Sequence, residues 1–309
     1  MSENKLLEPP TKAIVIYHDN CVDGFGAAWA FKKLAEKDYV DGVTYVPAQY
    51  GKPIDQTVFE DWLDVFILDF SFDRTEIQRL AERAGSVTVL DHHKTAADAL
   101  QNWDHGFSNL EIVFDMGRSG AGITWDYLSE PNQLRPALIS YIEDRDIWLW
   151  NLEYSREVNS LIGFTKKEFD AYDKLSDLLE GKFDAAVGMG SLLLEQQSRH
   201  VNSIIAATKR KITINGKEGL ICNCPGQFAS DVGNELAKES GTFGATYYQG
   251  TNENMYFSLR SIGDYDVSTM AKDFGGGGHK NAAGFVMGDE IPNPGGSGVV
   301  LWNIKNDNP

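Results

Sequence analysis

Four short segments of this chain place carboxylates and imidazoles where metal chemistry could use them. His18-Asp19-Asn20-Cys21-Val22-Asp23-Gly24 follows one apolar run, and Leu68-Asp69-Phe70 closes a second. Asp91-His92-His93 closes a third, and Asp144 and Asp146 stand in the stretch YIEDRDIW. Crowded carboxylates repel one another unless they are protonated or neutralised by cations. Asp23, Asp69, Asp91, Asp144 and Asp146 together carry −5, of which two divalent ions would return +4. Oxygen ligands with one or two imidazoles suit Mn2+ or Mg2+ better than they suit zinc in a thiolate-rich site. Two such ions about 3.5–4 Å apart can activate a bridging water and neutralise charge on phosphoryl oxygens. A lone Asp after a strand is ordinarily a cap or turn residue, which would serve for Asp23 or Asp69 taken singly. It does not serve for Asp91-His92-His93, where three adjacent polar groups after a buried strand need a common explanation.

A second constellation lies far along the chain, in Phe274-Gly275-Gly276-Gly277-Gly278-His279-Lys280-Asn281-Ala282-Ala283-Gly284-Phe285. Successive glycines let backbone approach a ligand and turn N–H groups toward an anion, as in a phosphate nest. His279 and Lys280 add donors and positive charge, and Arg260, in MYFSLRS, is a natural bidentate phosphate partner. A flexible linker is the plainer reading of the glycines, but here they are flanked by a helical stretch and a strand start. Trp148-Leu149-Trp150 could stack a base, though core or interface packing is the commoner role. Cys222 and Cys224 lack two further ligands at zinc spacing and are read as structural. Arg118-Ser119 could touch phosphate or simply cap a helix.

These residues need elements to carry them. Strands are expected at Ala13–His18, Val43–Pro47, Asp64–Phe70 and Ser86–Leu90, with helices at Asp23–Glu36 and Asp73–Ala84, the order of βαβ units on a parallel sheet. In such an open sheet the strand ends face one crevice, where ligands bind. Helices follow at Gly120–Leu128 and Leu134–Glu143, and from Asn151 to about Arg199 the chain reads as a polar helical insertion and a connecting helix. Strand signals return at Lys211–Ile214, Gly219–Cys222, Thr246–Gln249 and Met255–Arg260, with a last short strand at Val299–Ile304. The expected organisation is a catalytic α/β domain over 1–190, a connecting helix over 191–210 and a smaller mixed α/β domain over 211–309.

The 309 residues suffice for two domains with real cores, and 42% hydrophobic with 24% charged residues fits a globular chain. No run approaches the roughly 18 apolar residues that span a bilayer. The start MSENKLLEPP does not resemble a signal peptide, and three cysteines are too few for a disulfide scaffold, so a cytoplasmic setting is expected. A net charge of −17 argues against wrapping long double-stranded nucleic acid, which calls for a basic stripe. If phosphates are handled, they are few, with bound cations supplying the positive charge.

VLDHH, with an upstream VDG, an intervening ILD and a distal FSLRS…DVSTMAKDFGGGGHKNAAGF, closely resembles the DHH/DHHA1 phosphoesterases over nearly all of the chain except 151–190. The resemblance implies two domains with the active site in the cleft between them. It further implies two metal ions, Mn2+ with Mg2+ as the alternative, held by Asp23, Asp69, His92 and the Asp144/Asp146 pair, with Asp69 bridging. Asp91 would orient a histidine, and His93 would sit by the scissile phosphate. Arg260 and Gly276–His279 would hold the substrate's terminal phosphate or nucleotide. One position departs from the family: an acid usually stands two residues before the VDG aspartate, and here it is Cys21. His18 or Asp19 would then replace it at the first metal, while Cys21 ligates softly or merely packs; the bystander reading is preferred because His18 ends its strand at the same crevice. Expected substrates are short oligonucleotides, dinucleotides or other small phosphate compounds. A pAp phosphatase, an exopolyphosphatase or pyrophosphatase, and a non-catalytic nucleotide sensor stand as alternatives. No membrane partner is expected, and a homodimer is left open.

Overall fold

Alternate residues of the first strands belong to two different apolar layers, and that alternation requires a sheet covered on both faces. Ala13 and Val15 of β1 (Ala13–His18), Phe66 and Leu68 of β3 (Asp64–Leu68) and Leu90 of β4 (Ser86–Asp91) pack in one layer. Ile14 and Ile16, Val65 and Ile67, and Val87 and Val89 of the same strands pack in the other. With β2 (Val43–Ala48) and β5 (Leu110–Phe114) they form a five-stranded sheet, every pair parallel, in the order β2-β1-β3-β4-β5. The computed structural model describes residues 10–55, 58–214 and 216–287.

The strand order reverses between β1 and β3, and the crevice of an open α/β sheet lies at such a switch point. Helix α1 (Val22–Leu34) returns the chain from β1, α2 (Arg74–Ala81) from β3 and α3 (Lys94–Leu100) from β4. Asp73, where the helix is expected to begin, is the N-cap of α2 and accepts the Glu76 N–H. α4 (Gly120–Leu128) and α5 (Ala137–Asp146) pack beside α1. The sheet edge β5 and the short α3 carry no sequence expectation: most of β5 is only half-buried, so its period is faint.

The polar-looking insertion is built into this core. α6 (Ser155–Phe164) and α7 (Phe169–Gly181) bury Val158, Leu161, Ile162, Tyr172, Leu175 and Leu179 against it. Phe25 meets the rings of Tyr172 and Phe169 at 4.7 and 5.1 Å, and Trp29 Nε1 donates to Asp173 at 2.9 Å. The residues that look polar are the outer faces of amphipathic helices.

The chain divides into two units, Met1–Leu194 and Glu195–Pro309, and the division falls within α8 (Phe183–Thr208). The second unit is a six-stranded mixed sheet, in spatial order β10 (Gly277–His279), β11 (Ala282–Met287), β9 (Met255–Ser261), β8 (Phe243–Gln249), β7 (Lys217–Asn223), β6 (Arg210–Ile214). Only β7 and β8 are parallel among these pairs. α9 (Ala229–Ser240) and α10 (Val267–Lys272) belong to the same unit. Cys222 and Cys224 are buried in an apolar cluster with Val201, Val232 and Leu236. The expected strand at Val299–Ile304 lies outside the described residues. Among the described residues no helix is long and apolar enough to cross a membrane.

Close approach at the sheet edge depends on Gly120, where a Cβ would lie 2.4 Å from Asp69 Cβ. Gly120→Ala is expected to destabilise the protein by about 1–3 kcal/mol through overpacking. Gly188→Ala, exposed in mid-α8 with nothing within 4 Å of its Cβ position, should instead stabilise by about 0.5–1 kcal/mol. Urea unfolding of the two variants beside the wild type checks the contrast, and equal effects would contradict it.

Candidate metal centre

Asp69 follows β3 in the left-handed region, with φ of 52°, a conformation that Asp tolerates better than most residues. Its N–H donates to the Leu90 carbonyl at 2.9 Å, while its carboxylate lies buried at the switch point, 1% exposed. Around it stand residues from β1, α1, α5 and the turn after β4. His92 Nε2 lies 3.1 Å from Asp69 Oδ1, 3.5 Å from Asp146 Oδ2 and 3.6 Å from Asp23 Oδ2. His18 Nδ1 lies 3.5 Å from Asp69 Oδ2. Two sets of donor atoms therefore meet at one carboxylate: His18, Cys21 and Asp69 on one side, and Asp23, His92 and Asp146 on the other. Within each set one ligand atom per residue falls inside 4.8 Å of the others.

Asp23 is positioned by the start of α4. Gly120 N donates to its Oδ2 at 2.6 Å and Ala121 N to its Oδ1 at 2.9 Å, so the positive end of a helix dipole faces the carboxylate. Gly24 lets α1 pass close to β1, since a Cβ there would lie 2.3 Å from the His18 carbonyl oxygen. Ser119 is the N-cap of α4, accepting the Gly122 N–H, and Arg118 pairs with Glu143 and Asp126. Of the two roles open to Arg118-Ser119, the cap is the one formed.

Asp91 holds three donors on Oδ1: His92 N at 2.7 Å, His93 N at 3.2 Å and His93 Nδ1 at 2.7 Å. It therefore orients the His93 ring. Asp144 and Asp146 separate completely. The Asp144 carboxylate accepts Asn151 N at 2.8 Å and Leu152 N at 3.4 Å and also bonds Ser155 Oγ. Its carbonyl takes the N–H groups of Leu149 and Trp150. It thus ties down a loop in which Trp148, Trp150 and Tyr154 all adopt positive φ, while Asp146 turns to His92. Asp19 likewise stands apart, its carboxylate accepting Asn20 N, Asn20 Nδ2 and Gln49 Nε2. Trp148 is 37% exposed and meets Trp150 edge-on at 5.0 Å, with Arg156 over the Trp150 ring.

One residue near the centre has no signal in the sequence. Tyr50, after β2, sets its ring 5.7 Å from that of His18 and 5.8 Å from that of His93. Cys21, which the sequence leaves between soft ligation and packing, with packing preferred, comes within the His18–Asp69 set.

The charges fit a cation-binding site. Burial, reinforced by Asp69 and Asp146, pushes the Asp23 carboxyl well above its ordinary range. Burial would raise Asp69 as well, but contacts from His18 and His92 and the charge of His93 pull it well below. For His92, burial is outweighed by Asp69, Asp146 and Asp23, which push it up to about 11. His93 is raised, against burial, by Asp91 and then Asp69. The Cys21 thiol is pushed well up by burial and by the charges of Asp69, Asp146 and Asp23. Both oxygens of Asp69 and Nδ1 of His18 are buried with no hydrogen-bond partner. Buried orphans of this kind call for an ion or water, and the donors present suit divalent cations.

In the second unit, Arg260 donates Nη2 to Ser230 Oγ at 2.8 Å and Nη1 to the Leu259 carbonyl, its stem lying over Gly233 of α9. Lys280 pairs with Asp264 at 2.7 Å. Gly277, Gly278 and His279 form β10, and a Cβ on Gly276 or Gly278 would strike the backbone of β11. Gly278 also takes φ of 134°. Packing against β11 thus demands part of the glycine run.

The DHHA1 domain family matches residues 226–293. An uncharacterised protein of Acanthamoeba polyphaga mimivirus is 33% identical over 302 residues, covering 92% of this chain and 70% of that one. The oligoribonuclease NrnB of Bacillus subtilis is 28% identical over 306 residues, covering 89% of this chain and 73% of its own. This chain belongs to the DHH/DHHA1 phosphoesterases. A solved DHH domain, from a protein described as a member of a family of ribosomal proteins, superposes with a TM-score of 0.50 at 14% identity, covering 90% of this chain and 82% of that one. At that identity the likeness concerns the fold, and it agrees with a parallel-sheet unit joined to a smaller mixed-sheet unit.

In metal-free DHH/DHHA1 protein of this sequence, His92 at about 11 lies above its unfolded value near 6.5. Its stabilising contribution is complete below the unfolded value and is lost as pH rises through the folded one. The raised Asp23 acts in the same direction. With EDTA present, the melting temperature should therefore fall as pH is raised through the neutral and alkaline range. Cations must displace the His92 proton, so their affinity should rise by up to about tenfold per pH unit, with proton release measurable by calorimetry in buffers of different ionisation enthalpy. At about 100 times the dissociation constant the cation should add about 2.7 kcal/mol of stability. A pH-independent affinity would remove His92 from the ligand set.

Proposed function

We propose that this protein hydrolyses short phosphodiesters, nanoRNA or dinucleotides, with two divalent cations, Mn2+ in preference to Mg2+. The observation that carries the reading is the buried Asp69 carboxylate, whose oxygens lie 3.1 Å from His92 Nε2 and 3.5 Å from His18 Nδ1, one in each of two donor sets. Divalent cations bound there would supply an activated water and neutralise the phosphoryl oxygens. The chain's own groups do the rest. Asp23, Asp146 and His92 hold one side of the centre, and His18 and Asp69 the other. His93, its ring fixed by Asp91, which against burial favours the protonated form, would give a proton to the departing oxygen. Arg260 and the Gly276–His279 segment, with Lys280, bind the substrate's phosphate. The Bacillus subtilis relative's activity on oligoribonucleotides supports a short substrate, and so does the net charge of −17.

Hydrolysis of a panel of pApA, cyclic dinucleotides, pAp and short polyphosphate, with Mn2+ and with EDTA, tests this. The linear dinucleotide should be the best substrate and EDTA should stop the reaction. Asp69→Ala should abolish turnover, and Asp91→Asn, which leaves the metal ligands but loosens His93, should cost about 10–100-fold in kcat. Near-normal turnover by Asp69→Ala would refute the metal reading. Preference for pAp or polyphosphate would reassign the substrate, and tight nucleotide binding without turnover would make the protein a sensor.

Arg260→Ala should raise KM strongly with little change in kcat, since its role is binding. A loss confined to kcat would place Arg260 in the chemistry instead.

A further inference from the structure

We propose that Cys21 is a ligand of the first cation, making the centre chemically asymmetric: an imidazole–thiolate–carboxylate half and a harder, oxygen-rich half that share Asp69. The inference rests on the two-cation reading above and refines the identity of one ion. Three observations converge on it. The Cys21 sulfur falls within 4.8 Å of a ligand atom of both His18 and Asp69. Asp69, 1% exposed, and the buried Nδ1 of His18 both lack hydrogen-bond partners and meet at the same point. The competing oxygen donor, Asp19, is engaged by Asn20 and Gln49.

The place of Cys21 in the fold adds to this. It is the N-cap residue of α1, in extended backbone with φ of −103° and ψ of 141°, and its side chain makes no capping hydrogen bond. Ser, Thr, Asp and Asn are the side chains that cap well there. The thiol is thus a poor cap, reached only by the Gly24 N–H, and it stands beside two ligands. One nitrogen, one sulfur and one oxygen from protein, with a further position open, is the donor count of a catalytic zinc site. Thiolate favours Zn2+, and Co2+ as its usual substitute, over Mn2+ or Mg2+. Asp23, Asp146, Asp69 and His92 offer oxygen and a single imidazole, which suits Mn2+ or Mg2+. The chain would then load two different metals, sorted by whether Cys21 is in reach.

The test is Co2+ titration of the EDTA-stripped full-length protein, followed by near-ultraviolet absorption. Thiolate ligation gives an intense sulfur-to-cobalt charge-transfer band, expected in wild type and in Asp146→Ala and lost in Cys21→Ser. Calorimetric competition supplies a second readout: Cys21→Asp should shift the Zn2+ to Mn2+ affinity ratio of the first site toward Mn2+ by about 10–100-fold. Far-ultraviolet circular dichroism checks that each variant folds. Should Cys21→Ser fail to fold, the Cys222→Ala/Cys224→Ala variant, with Cys21 its only cysteine, replaces it and should retain the band. Absence of the band in wild type, or its persistence in folded Cys21→Ser, overturns the proposal. Failure to hydrolyse any substrate with any cation would instead sink the phosphoesterase reading, and the cobalt band would still decide the role of Cys21.

Discussion

Burying Asp69 beside Asp23 and Asp146 brings three carboxylates into a volume where water screens little of their repulsion. Two unit charges about 4 Å apart interact by roughly 4 kcal/mol at an effective dielectric constant near 20. The fold answers with positive groups on every side. His92 stands within 3.6 Å of all three carboxylates and is held protonated by them. The first N–H groups of α4 face Asp23. These measures are incomplete, as the raised Asp23 carboxyl and the unpartnered Asp69 oxygens record. Divalent cations held by these residues would complete the balance.

The same constraint explains the small residues at the sheet edge. The helix starts must approach the strand ends closely enough for backbone N–H to reach a carboxylate, and Gly24 and Gly120 permit that approach. Asp69 accepts a left-handed backbone, a cost of order 1–3 kcal/mol, to direct its side chain at the switch point. Strain of this size persists only where surrounding packing enforces it. Here the β3 and β4 register and the buried Leu68 and Leu90 do so.

Much of the first unit was legible because buried strands and their polar ends differ sharply in composition. AIVIYH, DVFIL and SVTVL announce themselves, and Asp69 and the Asp91-His92-His93 run mark the edge. What was not legible depends on orientation. Asp144 and Asp146 are two residues apart on α5, and residues so spaced do not share a helix face. One therefore reaches the centre while the other braces the following loop. Asp19 and Cys21 pose the same problem in a turn, where spacing does not fix direction. The helices of 151–190 looked polar because their apolar stripes are narrow. α9 was missed because small residues, Gly233 among them, provide its contact with the sheet.

An acidic chain that handles phosphate must resolve a conflict, since its net charge of −17 repels polyanions over any distance that salt leaves unscreened. Several of its basic groups are already engaged. Arg118 and Arg135 share Glu143 and Asp126. Side chains so engaged cannot form the basic track that a long polynucleotide follows. Attraction must therefore be local, and among the described residues of the first unit the carboxylate centre, once it holds cations, is a place that concentrates positive charge. Only a substrate small enough to put its scissile phosphate there, leaving few other phosphates against acidic surface, would gain more than it loses. On the proposed reading, the same buried carboxylates that call for cations would thus favour short substrates.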